Sequence, residues 1–358
     1  MKRATTFPLP GPPVTRLQNA AEFYARPDGV PEGSVVSAFR VPPEAAGARL
    51  DLFVQSQLKR TSRTRTQQII RLSAHDETGR RLWPNDRVRA HQTILLWRAP
   101  WDETEVPRDL PVLYEDDHLL AIDKPPMLPV HPTARYYKNT LIKLLQTARP
   151  NEFLTLAHRI DRETSGVILL AKTHEADVAI KRLFEEREQV RKSYLAITWG
   201  VPSGGTGPGP FRCELPLELD SESRYKVKMR VARTDSALAA ATGFEIVATR
   251  GRIPDTYALV RCHLETGRQH QIRVHLQTYG TPIVGDKLYG PDESFFALAA
   301  DGDLTDDHRA RLELPRHALH AAHIELPHPI TKAPLAVESP LPPDLADFWS
   351  SLPAQADV

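Results

Sequence analysis

Fourteen consecutive residues constrain this chain more than any other part of it. His158-Arg159-Ile160-Asp161-Arg162-Glu163-Thr164-Ser165-Gly166 places four charged residues, a histidine, two hydroxyls and a glycine in nine positions, and Val167-Ile168-Leu169-Leu170-Ala171 follows at once. A short apolar run bounded by turn residues reads as a buried strand. A charged cluster at the mouth of such a strand points to a site, because a lone carboxylate there is costly to desolvate. Asp161, between Arg159 and Arg162, can stay ionised because neighbouring cations favour its charged form. On residue types alone, Asp161 with Arg159, Arg162 and Arg273 fits a buried ion-pair network joining two strands equally well.

The rest of the chain has to be large enough to bury that strand. At 358 residues it is, with room for two or three domains. Hydrophobic and charged contents of 41% and 25% are those of a globular protein. No apolar run reaches the length of a membrane span, and the start of the chain lacks the apolar core of a secretory signal. Cys213 and Cys262 are the only cysteines, too few for a disulfide framework, so a reducing cytoplasm is the expected location.

The net charge of +1 hides a segregation. Arg49 to Arg98 contains eleven Lys/Arg and four Asp/Glu, a net +7, which leaves −6 for the remainder. A basic segment on an otherwise balanced chain suggests an anionic partner such as nucleic acid.

Residues 1–35 are rich in proline and glycine and read as an N-terminal arm. Residues 36–100 form a small unit. Val36–Arg40 reads as a short strand, and Leu50, Phe53, Val54 and Leu58 follow helical spacing. Ser62 stands as the N-cap of a second helix carrying Arg63, Arg65 and Arg71, a candidate phosphate-binding face. Arg49-Leu50-Asp51, Ser62-Arg63 and Gln68-Ile69-Ile70-Arg71 resemble the small RNA-binding module first described in a small-subunit ribosomal protein. That module continues with a Gly-x-Val-x-Val-Asn-Gly hairpin, whereas Leu72-Ser73-Ala74-His75-Asp76-Glu77-Thr78-Gly79 stands here.

Residues 101–110 read as a linker, 111–345 as the main domain and 346–358 as a C-terminal tail. Within the main domain a hairpin pattern spans 112–122, followed by the proline-rich loop Asp123–Pro132 and a helix over 140–147. Residues 174–190 put Ala176, Ile180, Leu183 and Phe184 on one face of a surface helix without an expected role in chemistry. Strands are expected at 192–197, 244–247, 257–262 and 319–329. Arg224–Arg230 reads as a basic strand or hairpin arm, reaching phosphates or forming an exposed edge. Residues 292–313 read as an acidic insertion.

Three other chemistries find less support. His317, His320 and His323, with His270 and His275, invite a metal site, but Ile324 and Leu326 alternate as in a strand, which scatters these side chains. Ser165 with His158 lacks the glycine-flanked elbow of a hydrolase nucleophile and reads as bracing the turn. The glycines at 204, 205, 207 and 209 alternate with proline and precede no apolar helix, so no phosphate loop for a nucleotide is present.

The motifs resemble those of the RluA-type pseudouridine synthases. His158–Gly166 matches that family's central block with Ile160 for Leu, Tyr194-Leu195-Ala196 its second, and Thr266-Gly267-Arg268-Gln269-His270-Gln271-Ile272-Arg273-Val274-His275 through Gly285-Asp286-Lys287-Leu288-Tyr289-Gly290 its third. Lys124-Pro125-Pro126-Met127-Leu128 resembles its opening loop, with Met127 where that family has glycine. The match spans roughly residues 111–340. The resemblance implies an α+β fold, a mixed, largely antiparallel sheet with helices flanking a central cleft, preceded here by the small α-rich module. It implies isomerisation of uridine to pseudouridine in RNA without cofactor or metal. Large-subunit rRNA is the expected substrate, with tRNA the alternative. It gives Asp161 the reaction, as nucleophile or as base at the ribose, pairs it with Arg273, and packs Tyr194 on the target base. Arg159 would fill the gap left by a flipped-out base, with His158, Arg162 and Arg268 as further RNA contacts. A non-catalytic RNA-binding protein of the same fold is the alternative of a different class, but it would have lost Asp161, Tyr194 or Arg273.

Overall fold

The computed structural model describes residues 24–58, 61–100, 103–133, 135–203, 209–234, 237–252 and 255–354. The proline-rich arm up to residue 23 and most of the glycine-rich stretch at 204–208 lie outside the described residues. Two compact units divide the chain between Asp102 and Glu103.

The smaller unit runs through β1 (Val35–Arg40), α1 (Leu50–Gln57), α2 (Arg63–Ser73), β2 (Ala74–Asp76) and β3 (Thr93–Arg98). Ser62 caps α2, its hydroxyl accepting from the Arg65 N–H at 3.2 Å. The unit is less helical than its sequence suggests, because a three-stranded antiparallel sheet in the order β1-β3-β2 joins the two helices. Ile94 and Leu96 of β3 pack with the helices, whereas Leu95 and Trp97 pack with Val36 and Ala38. A strand covered on both faces loses the alternation that would announce it.

The larger unit contains β4 (Val112–Glu115), β5 (Leu119–Lys124), α3 (Leu141–Ala148), β6 (Thr155–Leu156), β7 (Ser165–Ala171) and α4 (His174–Glu186). It continues with β8 (Arg191–Trp199), β9 (Phe211–Cys213), β10 (Leu217–Leu219), β11 (Met229–Val231), β12 (Thr242–Arg252) and β13 (Asp255–Leu264). It closes with α5 (Gln271–Thr278), α6 (Phe295–Asp301), α7 (Asp306–Leu312), β14 (Leu319–Pro327), β15 (Pro334–Glu338) and α8 (Pro343–Ser351). Ten strands form one sheet with the path β4-β5-β7-β14-β8-β13-β12-β9, β15 adding to β14 and β6 to β7. The fold is thus α+β with a largely antiparallel sheet, and no described helix is long and apolar enough to cross a membrane.

The run after Gly166 becomes β7, and every residue of that strand is buried. Ile168 and Leu170 join the cluster that includes α3 residues Leu141 and Leu145, while Val167, Leu169 and Ala171 join α4 residues Ala176 and Ile180. The β7–β14 pair is the parallel one in this sheet, setting His320 beside Ser165 and Ala321 beside Gly166. The strands approach so closely there that a Cβ at Gly166, whose φ is +106°, would overlap the Ala321 backbone.

Two boundaries differ from those the sequence suggests. Residues 103–110 do more than link, since Val106 is buried in the core and Glu103 accepts from the backbone N–H groups of Lys138 and Asn139 at 3.0 and 2.8 Å. The supposed tail from 346 begins inside α8. Leu345, Phe348 and Trp349 pack on the core at helical spacing, and Asp344 is bound by Arg316 at 2.6 and 2.9 Å. The basic stretch at 224–230 joins β10 to β11, and two of its four cations are paired, Arg230 with Glu218 and Lys228 with Glu293. Met127 keeps the left-handed conformation a glycine would favour, with φ +64°.

Two substitutions test this backbone geometry in chemical denaturation. Gly166→Ala is expected to cost at least about 2 kcal/mol, because backbone rather than a movable side chain blocks the new methyl. Met127→Gly relieves about 1 kcal/mol of left-handed strain and is expected to leave stability unchanged or slightly raised. A clear loss at 127 would contradict the strain.

Candidate active site

The charged turn is fixed from several directions before it meets any ligand. The Thr164 and Ser165 hydroxyls, both buried, bond His317 Nε2 at 2.8 Å and His320 Nδ1 at 3.0 Å. Those contacts tie the turn to β14, and they leave Ser165 a brace. The Lys124 ammonium, completely buried, donates to the carbonyls of Pro125, Leu128 and Arg162 at 2.7, 3.0 and 3.2 Å, clamping the proline-rich loop to the turn. Glu163 accepts from Lys287 Nζ at 3.0 Å and from the His317 N–H at 3.1 Å.

Asp161 is what these restraints present. Its carboxylate is 24% exposed and accepts from Arg273 Nη1 at 3.0 Å. Arg273 rises from α5, with Gln271 through Leu276 all buried. Its remaining nitrogens grip Asp286, Nε at 2.6 Å and Nη2 at 2.8 Å. Asp286 is fully buried and also accepts from the N–H groups of Leu288 and Tyr289 at 2.9 and 3.0 Å. One planar guanidinium therefore bridges two carboxylates, one sealed inside and one facing out.

The electrostatics follow from this bridge. Burial raises the Asp161 carboxyl pKa, but positive charge at His270, Arg273 and His317 outweighs it and holds the group down to about 2. Burial lowers His270 to about 4, helped by Arg273, and His317 to about 3. Both rings are neutral at pH 7, so the permanent cation Arg273 keeps Asp161 ionised there. Asp286 sits well below the usual carboxylate range despite burial, again through Arg273.

Asp161, Tyr194 and Arg273 line one cleft of about 480 Å³, with Arg159, Arg187, Lys192, Arg268 and His270. Tyr194 is buried on β8, and burial together with Asp161 pushes its phenol pKa up, so it is neutral at working pH. Arg159 is exposed and has no hydrogen-bond or ion-pair partner among the described residues. Arg268 donates from Nε to the Ala239 carbonyl at 3.0 Å.

Other candidates from the sequence stand elsewhere or carry no charge. Arg162 turns away from the cleft to the Tyr136 hydroxyl at 2.9 Å and Glu163 at 3.3 Å. His158 reaches the cleft but is lowered by burial to about 3, and its Nε2 accepts from the Leu169 N–H at 3.1 Å, so it supplies no cation. In the smaller unit Arg63 is held by the buried Asp51 at 3.1 Å, with Arg49 and Gln67 on the same carboxylate, while Arg65 and Arg71 are exposed. The three histidines at 317, 320 and 323 diverge, two bonding the turn and one lining a neighbouring groove.

Asp286, Glu163 and Lys287 were not singled out by residue type, although the Gly285-Asp286-Lys287 string held the signal. Gly285, with φ +77°, passes so close to the Arg316 carbonyl that a Cβ would overlap it. The helix α4 also contributes, because Phe184 and the following Arg187 line the cleft.

Comparison with known proteins is consistent along the chain. Residues 118–278 match the family described as RNA pseudouridylate synthase. A ribosomal large subunit pseudouridine synthase D from Xanthomonas campestris pv. campestris is 36% identical over 87% of this chain and 91% of its own length. Its namesake from Nitrosomonas europaea is 32% identical over 94% of both chains. In fold, the chain resembles human RNA pseudouridylate synthase domain containing 1, with a TM-score of 0.55 and 22% identity over 72% of this chain and 93% of that one.

Breaking the sealed half of the bridge tests its weight. Asp286→Asn leaves Arg273 with one anion and should destabilise the protein by about 3 kcal/mol in denaturant titration, the scale of breaking a buried ion pair. A loss below about 1 kcal/mol would show that Asp286 is not what holds Arg273.

Proposed function

The chain belongs to the RluA-type RNA pseudouridine synthase family, and we propose that it isomerises uridine within large-subunit rRNA, with Asp161 as the reacting carboxylate. The observation that carries this reading is the charge pattern of the cleft. Asp161 is the single carboxylate among the described lining residues, and it stands beside five cations, of which Arg273 alone is its partner. Four cations remain for the phosphates of a nucleotide.

The reaction is an isomerisation that neither gains nor loses an atom. The bond from the ribose anomeric carbon to the ring nitrogen breaks, the uracil turns, and a bond to its carbon 5 forms. The proton leaving carbon 5 is matched by one gained at the released nitrogen. Asp161 enters either as nucleophile at the anomeric carbon or as base at the ribose, and both need the charge that Arg273 preserves. Tyr194 meets the base as a neutral phenol. It packs against the uracil and passes a proton through its hydroxyl, since its raised pKa makes a resting phenolate unavailable. A paired base cannot reach Asp161, so the target is extruded in this reading, and the exposed Arg159, without a partner among the described residues, fills the gap it leaves. The two relatives named for the large ribosomal subunit support that RNA as substrate. Arg65 and Arg71 on α2 add phosphate contacts, whereas Arg63 is committed to Asp51.

Incubation of the protein with large-subunit rRNA and tRNA transcripts, followed by pseudouridine mapping, tests both levels of the reading. Product in rRNA is expected, with Asp161→Asn slowed by at least about 1,000-fold (over 4 kcal/mol of barrier). Product confined to tRNA would overturn the substrate. Equal rates from the two proteins would overturn the role of Asp161.

A further inference from the structure

Three cations in the cleft have no acidic partner and stand close enough to act on one another. Lys192 lies on β8, two residues before Tyr194; Arg187 caps α4; Arg268 lies ahead of α5. All three line the cleft that holds Asp161, and Arg187 and Lys192 also line the adjoining groove. The half-buried Lys192 rests over the Phe184 ring, with its ammonium 5.3 Å from the ring centre, and makes no hydrogen bond or ion pair among the described residues. Arg187 is exposed and adopts a left-handed conformation with φ +64°, a costly choice for a residue with a side chain.

Like charges gathered without a counterion disfavour one another. Lys192 is pushed down to about 8 by burial and by Arg187, and Arg268 is lowered by burial and by the same neighbour. The carboxylates nearby are committed elsewhere or lie outside the cleft. Glu186 is held by Arg182 at 2.7 Å and Glu265 by Arg212 at 2.6 Å, while the exposed Glu188 lines the adjoining groove only. The backbone beside this cluster is open. A Cβ built at Gly267 would meet one neighbour, the Lys192 ammonium, at 3.7 Å. Any side chain at 267 would therefore cover the charge that the glycine leaves accessible.

We propose that Arg187, Lys192 and Arg268, around the open backbone of Gly267, form a subsite for one phosphate of the RNA backbone next to the nucleotide whose base enters the cleft. The subsite rests on the proposed RNA substrate and assigns it a fixed strand position. A phosphate is the fitting anion because three separate cations surround it better than they would a planar carboxylate. The subsite binds and positions; it makes no contact with the reacting bond.

The test pairs turnover with the salt dependence of binding to a large-subunit rRNA transcript. Lys192→Gln, Arg187→Gln and Gly267→Val should each weaken binding about 10-fold and raise KM more than they lower kcat. The two charge removals should each reduce the slope of log affinity against log salt by about 0.7 to 0.9, whereas Gly267→Val should weaken binding by occlusion. Lys192→Arg should restore most of the affinity. Arg187 is exposed, so its variant reads the subsite even if a change at Lys192 disturbs folding. Unchanged affinity and slope in Arg187→Gln and Lys192→Gln, with the wild type making pseudouridine, would overturn the subsite alone. A reduced slope in Arg187→Gln and Lys192→Gln, together with a wild type that makes no pseudouridine, would uphold the subsite and overturn the proposed reaction.

Discussion

The Arg273 guanidinium between Asp161 and Asp286 is the interaction on which the rest of the site depends. A buried arginine with one carboxylate partner is neutralised and silent. Here the fully buried Asp286 takes two of the guanidinium nitrogens, and the third reaches the half-open Asp161. The inner carboxylate fixes the position of the cation, and the cation fixes the charge of the outer carboxylate. The arrangement resolves the usual conflict of a reacting carboxylate, which must be shielded from water and yet remain ionised.

The fold supplies this triad from distant parts of the chain. Asp161 comes from the turn before β7, Arg273 from α5, 112 residues later, and Asp286 from the loop after α5. The close parallel approach of β7 and β14 at Gly166 and Ala321 brings His317 and His320 onto the turn hydroxyls. Lys124, at the end of β5, and Lys287, beside Asp286, brace the same turn. The apolar run behind it is buried on both faces, which makes β7 a rigid base for the turn.

Much of this was legible in the sequence, and the omissions have physical causes. The charged turn and the strand behind it could be read from their composition, whereas Tyr194 and the Asp161–Arg273 pairing came only from the resemblance of three ordered motifs to a known family. Asp286 could not be ranked above other acids, since its weight comes from a partner 13 residues away and from complete burial. Residue type alone does not separate Arg162 from Arg159, yet one binds Tyr136 and the other lines the cleft, a difference made by the direction of the turn. The periodicity over 174–190 reports a surface helix and says nothing of its end, where Phe184 in the last turn and Arg187 at the C-cap line the cleft. Residues 103–110 and 346–351 looked like connecting chain, because Glu103 and Trp349 find their partners through tertiary contacts that no local pattern encodes.

The most direct test of the bridge is the pH dependence of single-turnover RNA modification in the double variant Arg273→Met, Asp286→Asn, which removes the cation without leaving a buried unpaired acid. In the wild type Asp161 stays ionised far below neutrality, and the neighbouring His158, His270 and His317 are held neutral with pKa values of about 3 to 4, so none of them titrates near pH 6. Without Arg273, burial raises the Asp161 pKa against only the charge that His270 and His317 acquire in acid, and the carboxylate is lost as pH falls through the raised value. The variant is expected to be slow and to gain an acid limb above about pH 5, with its rate recovering as pH rises. A profile parallel to the wild type would show that Arg273 does not govern the charge of Asp161.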